Sequence, residues 1–541
     1  HVVVLEHIHN TDIALGREVT RVLTNLAAIH ENHPPLVGGG AIGGLALGCA
    51  KTDAVSARFS SLGLMNLSTL QENHRDIIMA KAYEPLIDLA EGSVRKWFAL
   101  DSTGQKLEER GDTKPDSPRA VSDWEFIQEF KYDKEARRYA VLALGNLAMS
   151  DLSHGPLMQE KCIAALNQCM DSPDNETRFA AAFCLNKLAM IEANIEFIGE
   201  SGSIPRLVDL LSSPEPDTVA QATAVLRHLA MRVENRVHML VANILDPLSN
   251  VAKSTDFETL REVATLSCLM GLTDSIRMPI VASNLIVPLT HLCSHEDVEV
   301  ARQACGALAN VSEAKRTHKR LATVARAMHH MVFIMRSKHL SVHREAARCV
   351  SNLVSSSAFH RLFLDDGGLV SLFRLCRSLD KETLYNCSLI FRKLSPVLTN
   401  HEYIVGKGGL APLLILTQAT DLETNKQAAA AMRDLASNIN FKAIMAEEGC
   451  LTRAIELGRH DDLTLRILGL GTIRHLSVNT RVKRPIIQEG ALGPMFAAIE
   501  DELQDVDLIR QCAATIGNCA ENGENQITLI KDGVLPRLVH M

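Results

Sequence analysis

Two clusters in this sequence have residue types and spacing that could do chemistry. Gly38, Gly40 and Gly43, in "LVGGGAIGGLALG", match the G-x-G-x-x-G spacing that cradles a dinucleotide pyrophosphate. That chemistry needs a strand running into the loop, a helix leaving it and an acidic residue about 20 positions on. Here "ENHPPLV" precedes the glycines, broken by two prolines and without strand alternation, and no Gly-Lys-Ser/Thr follows. His291, Cys293 and His295, in "HLCSHED", are metal-ligand types, yet no second ligand group with zinc-finger spacing follows them. Gly-x-Ser-x-Gly and His-Glu-x-x-His are absent. The residue patterns therefore point away from an enzyme, a metal protein and a cofactor binder.

Bulk composition narrows the class. The chain has 541 residues, 46% hydrophobic but only 4% aromatic, so its core is built from Leu, Ala, Val and Ile and suits helix packing. The 13 cysteines form no C-x-x-C pair, and several lie in apolar helical runs (Cys184, Cys305, Cys349, Cys512), as small buried residues of a reducing compartment do. Leu36 to Ala50 is uncharged, but about 20 residues are needed to cross a bilayer. The sequence starts with His and stops in mid-pattern at "GVLPRLVHM", which reads as a piece of a longer protein.

What positions the polar chemistry is a repeat. The pattern apolar, any, polar, apolar, small recurs as "LTNLA", "LMNLS", "LGNLA", "LNKLA", "LRHLA", "LMGLT", "LANVS", "VSNLV", "FRKLS", "MRDLA", "IRHLS" and "IGNCA". Its central slot falls at Asn25, Asn66, Asn146, Lys187, His228, Gly271, Asn310, Asn352, Lys393, Asp434, His475 and Asn518, spaced 39 to 43 residues apart with one gap of 80. In phase with it come a turn and an apolar helix, as in "GESGSIPRLVDLL", "DDGGLVSLFRL" and "QEGALGPMFAAI". "GGGAIGGLALG" occupies this turn position, so its glycines are expected to serve a helix–helix turn and not a phosphate. The long gap holds about 40 extra residues, 92–131, with both tryptophans, Trp97 and Trp124. They are expected to form an insertion between the second and third helices of one repeat; the alternative is a degenerate repeat, since Lys106 lies midway between Asn66 and Asn146. The tract "GDTKPDSPR", Gly111 to Arg119, is polar and proline-broken, is expected to be mobile and cut first by proteases, and holds a proline-directed phosphorylation candidate at Ser117.

A unit of about 41 residues with an "ALGNLA"-type third helix and a "GSIPRLVDLL"-type second helix resembles the armadillo repeat, and the resemblance covers nearly the whole chain. It implies an all-α, right-handed superhelical solenoid of about 12 three-helix repeats over residues 1–541, a non-enzymatic scaffold. In that family the third helices line a concave groove, and slot asparagines pair with the backbone of an extended peptide, whose N–H and C=O groups need partners. By resemblance the peptide-groove set is Asn25, Asn66, Asn146, Asn310, Asn352, Lys393, Asp434, His475 and Asn518. Importin-α-type receptors carry Trp four residues before the slot. The positions here, including Leu142, Phe183, Arg348, Leu389 and Gly471, hold none. Nuclear import is therefore not expected, and the nearer flavour is the β-catenin and vacuolar-membrane adaptor group. Arg or Lys lies eight residues before the slot at Arg17, Arg58, Arg138, Arg302, Arg344, Lys426 and Arg510, where an inter-repeat brace is expected.

Charge is uneven. Residues 301–400 hold 16 Lys+Arg against 6 Asp+Glu, a net of +10 in a chain of −8 overall. A basic groove attracts acidic extended segments of protein partners, and Asp434 would repel them. No small-molecule substrate and no nucleic acid is expected, and membrane contact is expected only through a partner or a lipidated terminus outside the sequence. The expected place is the cytoplasm, at an organelle membrane or the cytoskeleton if peripheral. The competing reading is a structural subunit of a cytoskeletal or ciliary assembly.

Overall fold

A computed structural model describes residues 13–50, 53–92, 94–100, 106–110, 124–129, 133–323, 327–500 and 505–540. The tract Gly111 to Arg119 lies outside them. The chain divides into two compact units, His1–Thr273 and Asp274–Met541. Each is built of α-helical repeats, short first and second helices followed by a longer third helix.

In the first unit the third helices are Ile13–Ala27, Ala54–Ser68, Lys134–Leu147, Asn175–Ala189, Pro216–Leu229 and Phe257–Gly271, each packed on the next. In the second they are Val298–Ser312, Leu340–Leu353, Lys381–Leu394, Leu422–Ala436, Leu463–Ser477 and Val506–Ala520, packed likewise. Nine of these twelve starts are set by one residue type. Asp53, Asp133, Asp174, Asp256, Asp297, Asp380, Asp421, Asp462 and Asp505 are N-caps whose carboxylates accept backbone N–H groups of the first turn. A side-chain oxygen there satisfies donors that have no helical partner and favours the positive end of the helix dipole.

The turn into the second helix also repeats. Gly40, Gly202, Gly367, Gly408, Gly449, Gly490 and Gly533 have φ between 75° and 94°, and Lys81 and Asn243 take the same left-handed position. Glycine adopts that region without steric cost. Gly40 therefore turns the chain between the helices His33–Gly38 and Ala41–Ala50, as the repeat phase required.

The caps also correct one slot. The slot lies 13 residues after the N-cap in the other Asp-capped third helices, and 13 residues beyond Asp256 is Leu269, not Gly271. The spacing from His228 to Asn310 then becomes two equal steps of 41 residues. The pattern "LMGLT" misled because Gly271 is small and precedes an apolar residue; it is buried as the last residue of its helix.

The repeats are helical, but the described residues within 92–131 include a three-stranded antiparallel sheet, β1 Val94–Leu100, β2 Lys106–Arg110 and β3 Trp124–Glu129, in the order β2-β1-β3. Trp97 stands opposite Arg110 on one side and Phe126 on the other. The expectation of helix alone did not foresee it. In sequence the strands lie between Tyr83–Glu91 and Lys134–Leu147, which pack on each other, while Ala54–Ser68 packs directly on Lys134–Leu147.

Cores are aliphatic, with Phe359, Phe363 and Phe391 as the largest fully buried side chains. Helix approach is closest where glycines remove side chains. A Cβ at Gly469 would lie 2.6 Å from the Ala454 carbonyl oxygen and 2.8 Å from the Gly458 nitrogen. Backbone cannot yield as a flexible side chain can, so Gly469→Ala is expected to destabilise the second unit by about 1–3 kcal/mol despite alanine's better helix propensity. Urea unfolding of the two proteins side by side checks this; an unchanged or higher midpoint would show that the two helices can part without loss.

Candidate functional site

Slot side chains point back to the preceding repeat. Asn352 Nδ2 donates to the Ala309 carbonyl (3.1 Å) and the Ser312 hydroxyl (3.3 Å). Lys393 Nζ donates to the Ser351 carbonyl (2.6 Å). Asn518 Nδ2 meets Ser477 Oγ at 2.9 Å, and in the first unit Asn146 Nδ2 meets Ser68 Oγ at 3.1 Å. The targets sit in the last turn of the neighbouring third helix, where carbonyls lose their helical donors. These residues therefore brace one repeat to the next. The carboxamide oxygens of Asn146, Asn352 and Asn518 take no partner among the described residues, so each retains an acceptor for a ligand N–H.

The set is not uniform. Asn25 is exposed and Asn66 half-buried. Asn310 is 3% exposed, and its oxygen accepts from Arg348 at 2.9 Å. Arg348 also pairs with Glu345 (2.7 Å) and Glu313 (3.1 Å). Asn310 is thus buried and held by Arg348, unlike the other asparagines of the set. Asp434 accepts from Arg392 (2.8 Å), Ser395 (3.1 Å) and Arg433 (3.4 Å). Its charge is balanced from both sides, which offsets the repulsion of an acidic ligand expected from sequence.

Electrostatics refine the picture further. Burial, then the charges of Lys442, Arg474 and Arg433, push the His475 pKa down against Asp434. His475 is therefore neutral at pH 7, and the cation of that repeat is Arg474. Burial and then Arg227 and Lys187 bring His228 to about 4. Lys393 is lowered by burial and by Lys315. Its half-buried ammonium and the Asn352 bonds mean that these side chains also carry stability.

The basic residues eight before the slot join repeats at their other end. Arg17 meets Asp53 (2.7 Å), Arg58 meets Asp133 (2.9 Å), Arg138 meets Glu176 (2.5 Å), Arg344 meets Asp380 (2.6 Å) and Lys426 meets Asp462 (3.0 Å). Arg302 and Arg510 also bond within their own helices, to Glu299 and Asp507. At Asp53, Asp133, Asp380 and Asp462 one carboxylate thus caps its own helix and anchors the preceding one. The Arg17 guanidinium holds the Asp53 carboxyl well below the usual range. For Asp380, burial pulls upward but is outweighed by Thr383 and Arg344, leaving its pKa lowered. A lowered folded-state pKa contributes stability that is present above the unfolded value of ~3.9 and lost as pH falls through the folded value. Thermal midpoints should therefore fall as pH drops from about 5 to about 2, and Asp380→Asn should start lower at pH 7 yet converge with the parent in acid. A constant gap at all pH values would assign the loss to capping geometry and not to charge.

Sequence reasoning missed a second set of braces. At the start of the first helices, buried His and Asn side chains reach the carbonyl six residues earlier, on the end of the preceding third helix. His33 meets Ala27 (2.8 Å), His154 meets Ala148 (2.9 Å), Asn194 meets Leu188 (2.9 Å), His360 meets Val354 (2.9 Å) and Asn400 meets Leu394 (3.0 Å). Asn73, Asn194 and Asn400 also donate to Nδ1 of His33, His154 and His360 one repeat earlier, at 3.0, 3.2 and 3.0 Å. With Nδ1 accepting and Nε2 facing a carbonyl, each ring bridges two repeats. The available signal was a polar residue six positions after the small residue that ends the motif, or the one preceding it.

Residues 192–231 and 273–313 match the family model described as armadillo/beta-catenin-like repeat. These are armadillo repeats. No curated protein matches the chain in sequence. Among solved structures, the fold of the chain is similar to that of an engineered protein at 23% identity, over 80% of this chain and 98% of that one, with a TM-score of 0.61. It is also similar, at 13% identity, over 96% of this chain and 98% of the other and with a TM-score of 0.71, to a chain from a study of the phosphorylation switch controlling the cadherin–beta-catenin interaction. Both likenesses concern the fold.

Proposed function

We propose that this armadillo protein is a non-enzymatic scaffold that holds extended acidic segments of partner proteins against the third helices of its second unit. The observation that carries this reading is a run of half-buried cations on three consecutive third helices: Arg392 and Lys393, Arg433, and Arg474. Asp434 is the one acid among the slots there, and it is held by Arg392 and Arg433. Asn352 and Asn518 supply acceptors on the same face for a ligand backbone. The neighbour from the cadherin–beta-catenin study supports protein binding in general. Calorimetric titration of an acidic extended peptide across a salt series tests the reading, with Lys393 as the residue to change. Equal binding of acidic and basic peptides of the same length would remove it and favour the structural-subunit reading.

A further inference from the structure

Three residues beyond the slot, where each third helix ends, the first unit carries four exposed apolar side chains in register. They are Met149, Met190, Met231 and Leu272, each 41 residues from the next and 58, 60, 58 and 50% exposed. The third helices that end there, from Lys134–Leu147 to Phe257–Gly271, pack consecutively, so the four side chains form one row. The equivalent positions in the second unit are Glu313, Ser355, Pro396, Ser437, Val478 and Glu521, so Val478 stands alone there and the row is confined to the first unit. Leu152 and Val233, 62 and 47% exposed, widen it.

Beside the row, on the first turns of the following helices, stand the exposed acids Asp151, Glu192 and Glu234, with Glu196 one turn further on. Two cations neighbour the row: Arg232, engaged by Glu196 (2.9 Å) and Glu234 (3.7 Å), and Arg236, whose guanidinium donates to the Ala230 (2.6 Å) and Met231 (3.1 Å) carbonyls. Lys187, on the slot side, lies over the Phe183 ring. Residues 1–273 hold 25 Lys+Arg and 36 Asp+Glu, a net of −11.

We infer that this row is a second docking surface, whose occupant is a basic amphipathic helix of a partner protein. Exposed methionines adapt to varied apolar partners, and a contiguous apolar strip rimmed by acids on a soluble surface marks an interaction site. Packed helices lie about 8–10 Å apart, so the rungs repeat at that distance. Seven residues of α-helix rise about 10.5 Å, so apolar residues at i, i+7, i+14 and i+21 meet successive rungs. Lysines or arginines flanking that seam then face Asp151, Glu192 and Glu234. The charge preference is opposite to that of the second unit, so this site is independent of the acidic-segment reading.

The probe is a synthetic lysine-rich helical peptide of about 24 residues with leucines at heptad spacing. Its controls are a scrambled peptide of the same composition and a glutamate-for-lysine version. The full chain should bind the helix at least about tenfold more tightly than either control. Combining Met149→Gln, Met190→Gln, Met231→Gln and Leu272→Gln should remove that margin, while circular dichroism and thermal midpoint stay close to the parent because the four side chains are exposed. Glu192→Gln with Glu234→Gln should abolish the preference for lysine over glutamate. Lys393→Glu, in the second unit, should leave the helix affinity unchanged. Equal binding of the scrambled peptide, or full affinity in the folded four-site variant, would overturn the inference, as would a loss on Lys393→Glu equal to that of the four-site variant.

Discussion

Asn400→Ala lowers the stability of the second unit by about 2–3 kcal/mol, more than an exposed polar substitution costs. The side chain is 4% exposed and makes two bonds, to the Leu394 carbonyl and to His360 Nδ1. Leu394 keeps a backbone donor, Val397 N–H at 3.3 Å. The greater part of the loss therefore comes from His360, whose Nδ1 is left buried without a donor. In a solenoid each repeat contacts only its neighbours, so a weakened interface is felt locally. Hydrogen exchange should quicken in Lys381–Leu394 and Leu398–Gly406 before it changes in Val506–Ala520. A double-mutant cycle with His360→Ala isolates the bridge, and a coupling energy near zero would show that the two side chains act separately.

How much of this was legible in the sequence follows from periodicity. The 41-residue step is strong because each repeat must bury the same faces against its neighbours, and the phase of "LGNLA" and "GSIPRLVDLL" gave the third and second helices directly. A polar residue in phase shows that a position matters, but not whether it faces a ligand or a neighbouring repeat. Asn310 and Asn352 read alike, yet Arg348 covers the first and leaves the oxygen of the second open. Gly271 shows the limit of a five-residue pattern, since the Asp256 cap set the register and its chemistry is that of a turn. The sheet at 94–129 lacked any counterpart in the repeat to be read against. The His–Asn bridges were hidden because each joins residues 40 apart, one in each of two repeats.

Lys393→Glu weakens binding of an acidic extended peptide by about ten- to a hundredfold at low salt, equivalent to about 1.4–2.7 kcal/mol. The ammonium follows Arg392 in sequence and feels the charge of Lys315, in a half-buried setting where charges are screened less than on open surface. A glutamate there places like charge against the ligand and pairs internally with the arginines that would otherwise receive it. The Debye length shrinks from ~8 Å at physiological ionic strength to ~3 Å at 1 M, so the gap between parent and variant should close with added salt. Two effects need separating, because Lys393 also bonds the Ser351 carbonyl. Lys393→Met loses that bond and the charge but keeps the apolar stem; it should share the stability loss, about 1 kcal/mol, and show only part of the affinity loss. Asn352→Ala removes a ligand acceptor as well as the bonds to Ala309 and Ser312, and should cost about 1–3 kcal/mol of binding with little salt dependence. If both Lys393 variants weaken binding equally at every salt concentration, the loss is structural, and the acidic partner is not held by this charge.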